Sequence, residues 1–537
     1  MATLVKGTII TMDDAMPEAK YMLVEDGKIS KVSQEAIDAP DAELIETTGY
    51  VFPGLIEPHG HPMDCAVELS KDVVDIRPVI IDNAKGVIKA IEDRLATLKA
   101  GQPLFINGWD PLVQKGLPVP HIDYLDKLAP NNPITILHNS GHAVYFNTAM
   151  AKLAGVSDDT PDPVGGQWIK ENGKLTGEGH EGACAMIILK PILDGLQANS
   201  VEYMETYCKE MNALGITTCA NLTAGQMSDG VYMAALKAGV MSLRIRAYQM
   251  TTEADTTSKV PEDKNGMYKQ LGVKIWSDGS PWVGNIYTSF PYLTNDATKS
   301  IGLEPGHKGK PNYTAAQLLK ICDPLAKEGM QFACHSHGDL AIDETLDVYE
   351  TLIKKYNIKD ARFRVEHCGA MTPEQFERAA KLGCTIGLFV DHIYYWGDIM
   401  VNELFGEERG GAWANAGAAE EAGCSVTYHN DGAVTPTEPF RNMQVAQDRT
   451  SKYGLVLKAG KPASREQALK AHTSEAAYQL KAENDLGSLS EGKYADFIVL
   501  DQDPRTIKVA DFTKLKVKET YLAGEKVFEA TKSKKSI

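Results

Sequence analysis

Through the middle of the chain, short runs dense in apolar and β-branched residues alternate with stretches whose apolar positions recur every three or four residues. Eight such runs stand at Leu55–His59, Ile216–Asn221, Leu243–Met250, Val273–Trp276, Phe332–His335, Phe363–His367, Thr385–Val390 and Ser425–Asn430. Helical periodicity follows most of them, as in AIDETLDVYETLIKKY after His337 and TPEQFERAAKLG after Met371. Strand followed by helix, repeated, predicts right-handed βαβ units and a parallel sheet. Eight repeats predict an α/β fold of the TIM-like (β/α)8 barrel type.

The two ends differ from the middle. LVKGTII, YMLVEDGKISKV and ELIETTGYVFPG near the start, and GSLSEGKYADFIVLD and KVKETYLAGEKVF near the end, read as short strands broken at glycines. They predict a small β-sandwich domain assembled from both termini. Residues 1–54 would supply its first part, residues 55–450 the barrel, and residues 451–537 a helix and the remaining strands. Two insertions are expected in the barrel, at about 65–200 and 280–315. The first carries candidate strands Leu104–Asn107 and Ile134–Leu137 among Pro and Gly turns; the second reads as a loop over one barrel face.

The charge narrows the partners. Fifty-five Lys and Arg against 72 Asp and Glu give a net charge of −17, which repels phosphate backbones and anionic lipid. No nucleic acid and no membrane is expected, and no run of 18 apolar residues offers a span. The first twenty residues lack a signal-peptide pattern, and nine cysteines form no paired framework. These features predict a cytoplasmic protein with a small-molecule substrate. A homo-oligomer stays open, resting on no particular residue.

The chemistry gathers at strand ends. In Ile56-Glu57-Pro58-His59-Gly60-His61 the two histidines are two residues apart and share one face of a strand. His335 closes QFACHSH, His367 closes FRVEH and Asp431 follows SVTYHN. Barrel active sites are built at such C-terminal strand ends, and four histidines with an aspartate there read as a metal site. Lys274 lies inside a strand of the barrel, where a charged amine is costly. It is either carbamylated into a metal-bridging anion, or it snorkels out or pairs with Asp278.

In that order the set resembles the amidohydrolase superfamily and, within it, the YtcJ-like branch that includes N-substituted formamide deformylases. VFPGLIEPHGH, NSGHAVYFNTAMAKLAGV, LTGEGHEGA, GVKIWSDGS, CHSHGDLAID, FRVEHC, HIYYWGD, YHNDGAVTP and GSLSEGKYADFIVLDQDP carry the resemblance nearly end to end. It implies metal ligands His59, His61, His335, His367 and Asp431, with Lys274 as a carbamylated bridge if two ions are held. The chain departs from the branch at Pro62, where a short apolar residue is usual, and at His337, which is an extra ligand, a substrate contact or a support for one.

The implied activity is hydrolysis of a non-peptide C–N bond, in an amide, an N-substituted formamide or a cyclic amide, by a water activated on one or two divalent ions, zinc first. Asp431 is the candidate proton shuttle. The same site acting on a lactone or ester, or as an isomerase or lyase, is the alternative, and a non-catalytic barrel scaffold is the remaining one. Candidate substrate contacts are His142, which the resemblance places near the site, together with Glu181, His337, His392 and Trp396. Tyr394 and Tyr395 are expected to complete an aromatic rim beside the last two. Asp278 and Glu366 read as supporting carboxylates, and His121, His307, His429 and His472 as structural residues.

Overall fold

The computed structural model describes residues 2–251 and 266–531. Eight parallel strands form one sheet in the order of the chain: β1 (Leu55–Gly60), β2 (Ile216–Ala224), β3 (Arg244–Met250), β4 (Tyr268–Trp276), β5 (Gln331–Ser336), β6 (Arg364–His367), β7 (Thr385–Leu388) and β8 (Ser425–Tyr428). All eight predicted runs are strands, with ends shifted by a few residues. The sheet curls into a nearly closed barrel whose seam lies between β8 and β1. His472 fills that seam: Ile56 donates its backbone N–H to the His472 carbonyl at 2.9 Å, and His472 Nδ1 lies 3.1 Å from the Ile56 carbonyl.

The strands are apolar because both of their faces are buried. Val273, Ile275, Phe332, Val365, Ile386 and Val426 pack against the surrounding helices. β4 and β5 approach so closely that a Cβ on Gly272 would fall 1.9 Å from the Gln331 carbonyl oxygen, so glycine is required there.

The two chain ends do meet. Phe497–Leu500 pairs antiparallel with Glu43–Pro53, which joins N- and C-terminal strands into a single seven-stranded sheet beside the barrel. The region between β1 and β2 is more ordered than its Pro and Gly content suggested. It builds its own six-stranded sheet, in the order Gln167–Glu171, Lys174–His180, Ala143–Phe146, Ile134–His138, Leu104–Trp109, Val74–Asp75. A long helix, Glu181–Leu196, packs Ile188 and Ile192 against this layer. Sequence reading found two of the six strands; of the others, Val74–Asp75 has only two residues, Gln167–Glu171 and Lys174–His180 are half-polar, and Ala143–Phe146 is an apolar run of four.

Candidate metal centre

β1 carries His59 near its end with His61 just beyond it, β4 carries Lys274, β5 carries His335, β6 ends in His367, and Asp431 stands just beyond β8. Their side chains converge at the C-terminal mouth of the barrel. His59 Nε2 is 3.2 Å from Lys274 Nζ and 3.3 Å from Asp431 Oδ1, and His61 Nε2 is 3.0 Å from the same oxygen. A tetrahedral ion with bonds of 2.0–2.1 Å separates neighbouring donors by about 3.3–3.4 Å. The approach of Asp431 to both histidines matches that separation, so the three donors can hold a divalent cation. His335 and His367 form the opposite side: their rings lie 4.2 Å apart, and His367 Nδ1 is 3.9 Å from Asp431 Oδ2. His367 and Asp431 both adopt left-handed backbone, with φ of 73° and 51°. Such strain, about 1–3 kcal/mol per residue, concentrates at functional sites.

His59 and His61 are held from behind. His59 Nδ1 is 2.6 Å from Glu366 Oε2, whose other oxygen accepts a 2.5 Å hydrogen bond from Arg364 Nε. Arg364 also donates to the Pro58 carbonyl at 2.7 Å. His61 Nδ1 lies 3.2 Å from the Thr223 hydroxyl, which donates to Asp64. Partners of this kind fix ring orientation and tautomer, leaving each Nε2 free for a cation.

Charge follows the same plan. Burial lowers the proton affinity of His59, His335 and His367, and neighbouring cationic groups lower it further. Burial likewise brings His337 down to about 3. These imidazoles are neutral at pH 7, with lone pairs available. Burial pushes the Asp431 carboxyl up, but His59 and His61 outweigh it and hold the group well below the usual carboxylate range. Burial brings the Lys274 amine down to about 8 against the pull of Glu366 and Asp431.

Lys274 is 1% exposed and does not snorkel. The Asp278 pairing considered for it does not form: the Asp278 carboxylate instead accepts backbone N–H groups of Tyr287, His337 and Gly338 at 2.8–3.1 Å.

The inserted sheet delivers the next residues. His142 precedes Ala143–Phe146 and Glu181 follows Lys174–His180, and pairing of these strands brings Glu181 Oε2 to 2.6 Å from His142 Nδ1. Asn285 donates to the other Glu181 oxygen at 3.2 Å. The His142 ring stands 4.9 Å from that of His335. Burial lowers the proton affinity of His142, yet Glu181 more than reverses this and raises it.

His337 stacks on His367 at 4.8 Å and on His392 at 5.2 Å. A Cβ on Gly369 would lie 2.2 Å from the Trp413 ring and 2.8 Å from His337 Nδ1, so the missing side chain makes room for both rings. His392 and Trp396 sit on one face of the helix Asp391–Ile399, and the Trp413 indole N–H donates to His392 Nδ1 at 3.2 Å. The predicted rim is thus only partly assembled. Trp396 is fully buried, stacked on Trp282 with its N–H on Asp110. Tyr394 and Tyr395 turn away to the Arg441 guanidinium. Tyr394 lies two residues from both His392 and Trp396, which puts it on another face of the helix, whereas Tyr395, three residues beyond His392, packs under the Arg441 guanidinium at 4.9 Å. Trp282, beside His392 at 4.8 Å, and Trp109 line a cavity of about 900 Å³ together with His138, Tyr145, Glu178 and His180.

One residue of this cluster escaped sequence reading. His429, assigned a structural role there, stacks on His59 at 4.3 Å and meets His367 at 5.0 Å. Its signal was present: it stands two residues before Asp431, the spacing of His59 with His61 and of His335 with His337.

The sequence profile of the Amidohydrolase family matches residues 48–528. The chain belongs to the amidohydrolase family, hydrolases that act on carbon–nitrogen bonds. It is 26% identical to the N-substituted formamide deformylase of Arthrobacter pascens, over 99% of this chain and 98% of that protein. It is equally similar, at 26%, to the YtcJ protein of Bacillus subtilis, over 97% and 98% of the two chains. Among solved structures, an uncharacterized metal-dependent hydrolase from Pyrococcus horikoshii superposes with a TM-score of 0.74 at 21% identity, covering 95% of this chain and 99% of that one. That likeness establishes the shared fold.

Proposed function

We propose that this amidohydrolase hydrolyses a non-peptide amide, an N-substituted formamide or a cyclic amide, with a divalent cation held by His59, His61 and Asp431. The observation that carries the proposal is the convergence at the mouth of the barrel, where Asp431 Oδ1 lies 3.0 Å from His61 Nε2 and 3.3 Å from His59 Nε2, with Lys274 Nζ 3.2 Å from His59 Nε2. When bound, the cation supplies Lewis acidity toward a carbonyl oxygen and acidifies a water molecule. Zinc suits the nitrogen-rich donors. His335 and His367 would extend the site to a second cation, with Lys274 as a carbamate supplying an anionic donor between the two groups of ligands. Its fully buried amine, brought down to about 8, keeps a neutral fraction, the form that adds CO2.

The chain's own groups divide the remaining work. Asp431, ionised at neutral pH, takes the proton from the attacking water and delivers it to the leaving nitrogen. His142, with its raised proton affinity, donates a hydrogen bond to the carbonyl oxygen as negative charge develops there. Glu181 acts through His142 by orienting its ring and holding its proton. His337 and His392 form the wall beside the reacting carbonyl. Trp396 backs that wall, and the cavity behind Trp282 receives the nitrogen substituent.

The test is elemental analysis of protein purified without added metal or chelator, followed by a substrate panel. The panel contains N-alkyl and N-aryl formamides, cyclic amides, lactones and esters. Metal-dependent release of amine or ring-opened acid from the nitrogen compounds is expected. Turnover confined to the esters and lactones would reassign the activity to C–O bonds, and a protein that neither contains nor binds metal would overturn the mechanism.

A further inference from the structure

His429 has no partner in the site as described. It lies directly beyond β8, is 0% exposed, and among the described residues is the histidine with both ring nitrogens buried and without a hydrogen-bond partner. A neutral imidazole carries one N–H donor and one lone pair, and leaving such groups bare in the interior is costly. Its ring neighbours are the stacked His59 (4.3 Å, 14°), His367 (5.0 Å, 70°) and Phe389 (5.0 Å). One donor atom from each of His59, His367 and His429 lies within 4.8 Å of the other two, the limit also met by His59, His61 and Asp431.

We propose that His429 is a metal-ligating residue: with His59 and His367 it forms a second, all-imidazole donor set for a divalent transition-metal cation. The inference rests on the metal-centre reading above and adds a position to it. Both sets draw on His59 Nε2, because Glu366 holds Nδ1. One cation therefore occupies one set at a time, and the two sets are adjoining positions. Binding a tetrahedral ion needs the three donors about 3.3–3.4 Å apart, a spacing that their mutual separation of at most 4.8 Å brings within reach of small ring movements. Tightening sacrifices no hydrogen bond at His429, and His367 Nδ1 is likewise unpartnered. The two sets also differ in taste. Three imidazoles favour Zn, Cu, Ni and Co, whereas the set containing Asp431 also accommodates oxygen-preferring Mn.

The experiment titrates metal-free, full-length protein with Co2+ and with Mn2+, read by calorimetry and, for Co2+, by the visible d–d spectrum. His429→Phe keeps an aromatic ring against His59 while removing both nitrogens, and His429→Leu removes the ring as well. A folded Phe variant is expected to bind Co2+ at least tenfold more weakly, with an altered spectrum and a smaller change toward Mn2+. Co2+ affinity and spectrum equal to wild type in the Phe variant would overturn the proposal and leave His429 as a stacking ring. If the Phe variant does not fold, the Leu variant is read by the same criteria. Wild-type protein that binds no Co2+ would overturn the metal-centre reading itself, an outcome distinct from unchanged variants.

Discussion

Replacing Glu366 by Gln probes how this barrel buries charge in order to hold a ligand. Glu366 and Arg364 are both fully buried on β6, joined at 2.5 Å, and Glu366 also meets His59 Nδ1 at 2.6 Å. Burial raises the Glu366 carboxyl, but Arg364 and His59 outweigh it and hold the group far below its ordinary value of 4.5. Its contribution to stability is therefore present above about pH 4.5 and is lost as pH falls. The amide keeps the shape and removes the charge, leaving the Arg364 guanidinium with the Pro58 carbonyl and the Tyr248 ring as its neighbours. Breaking a buried pair in this way costs about 3–5 kcal/mol. Loss of the carboxylate behind a metal-binding histidine weakens metal affinity about 10- to 100-fold. Urea unfolding of the metal-free protein measures the first effect and Zn2+ titration the second. Adding Arg364→Met removes the orphaned cation, so the double variant recovers much of the stability while metal affinity stays low. The reasoning is refuted if Glu366→Gln binds metal as tightly as wild type, or if affinity returns together with stability in the double variant.

Asp431→Asn is expected to leave the fold intact and lower kcat by about 10²- to 10⁴-fold, the usual worth of a proton shuttle; near-normal turnover would remove Asp431 from that role. Lys274→Ala is expected to lose metal and activity, with partial recovery on adding short carboxylic acids that stand in for a carbamate, and unchanged activity would count against the carbamate. His472, in the barrel seam, is brought by burial down to about 4. The unfolded chain takes up a proton there first, so stability is full above about pH 6.5 and falls toward pH 4 by about 1.4 kcal/mol per unit. His472→Gln should flatten the pH dependence of urea unfolding by that amount, and an unchanged slope would show that His472 is already protonated in the native protein.

Much of the barrel was legible because each strand and helix writes its own period into the chain, and because His59, His61, His335, His367 and Asp431 stand at strand ends. Position within a short local pattern was enough for these. Lys274 was visible as a charge inside an apolar run, although its fate was not, since Asp278 is taken up by backbone N–H groups that only the folded loops bring near.

What the sequence determined by itself was the repeat of strand and helix and the residue types at the barrel mouth, since both follow from interactions among residues close along the chain. The tertiary structure alone decided the six-stranded inserted sheet, the His142–Glu181 pair and the position of His429 against His59. Each of these depends on pairing between segments distant in sequence. His142 and Glu181 meet because two strands of the insertion share a ladder, and His429 meets His59 because a curled sheet brings its last strand round to its first. No local pattern of apolar and polar residues encodes those encounters; closure of the barrel creates them.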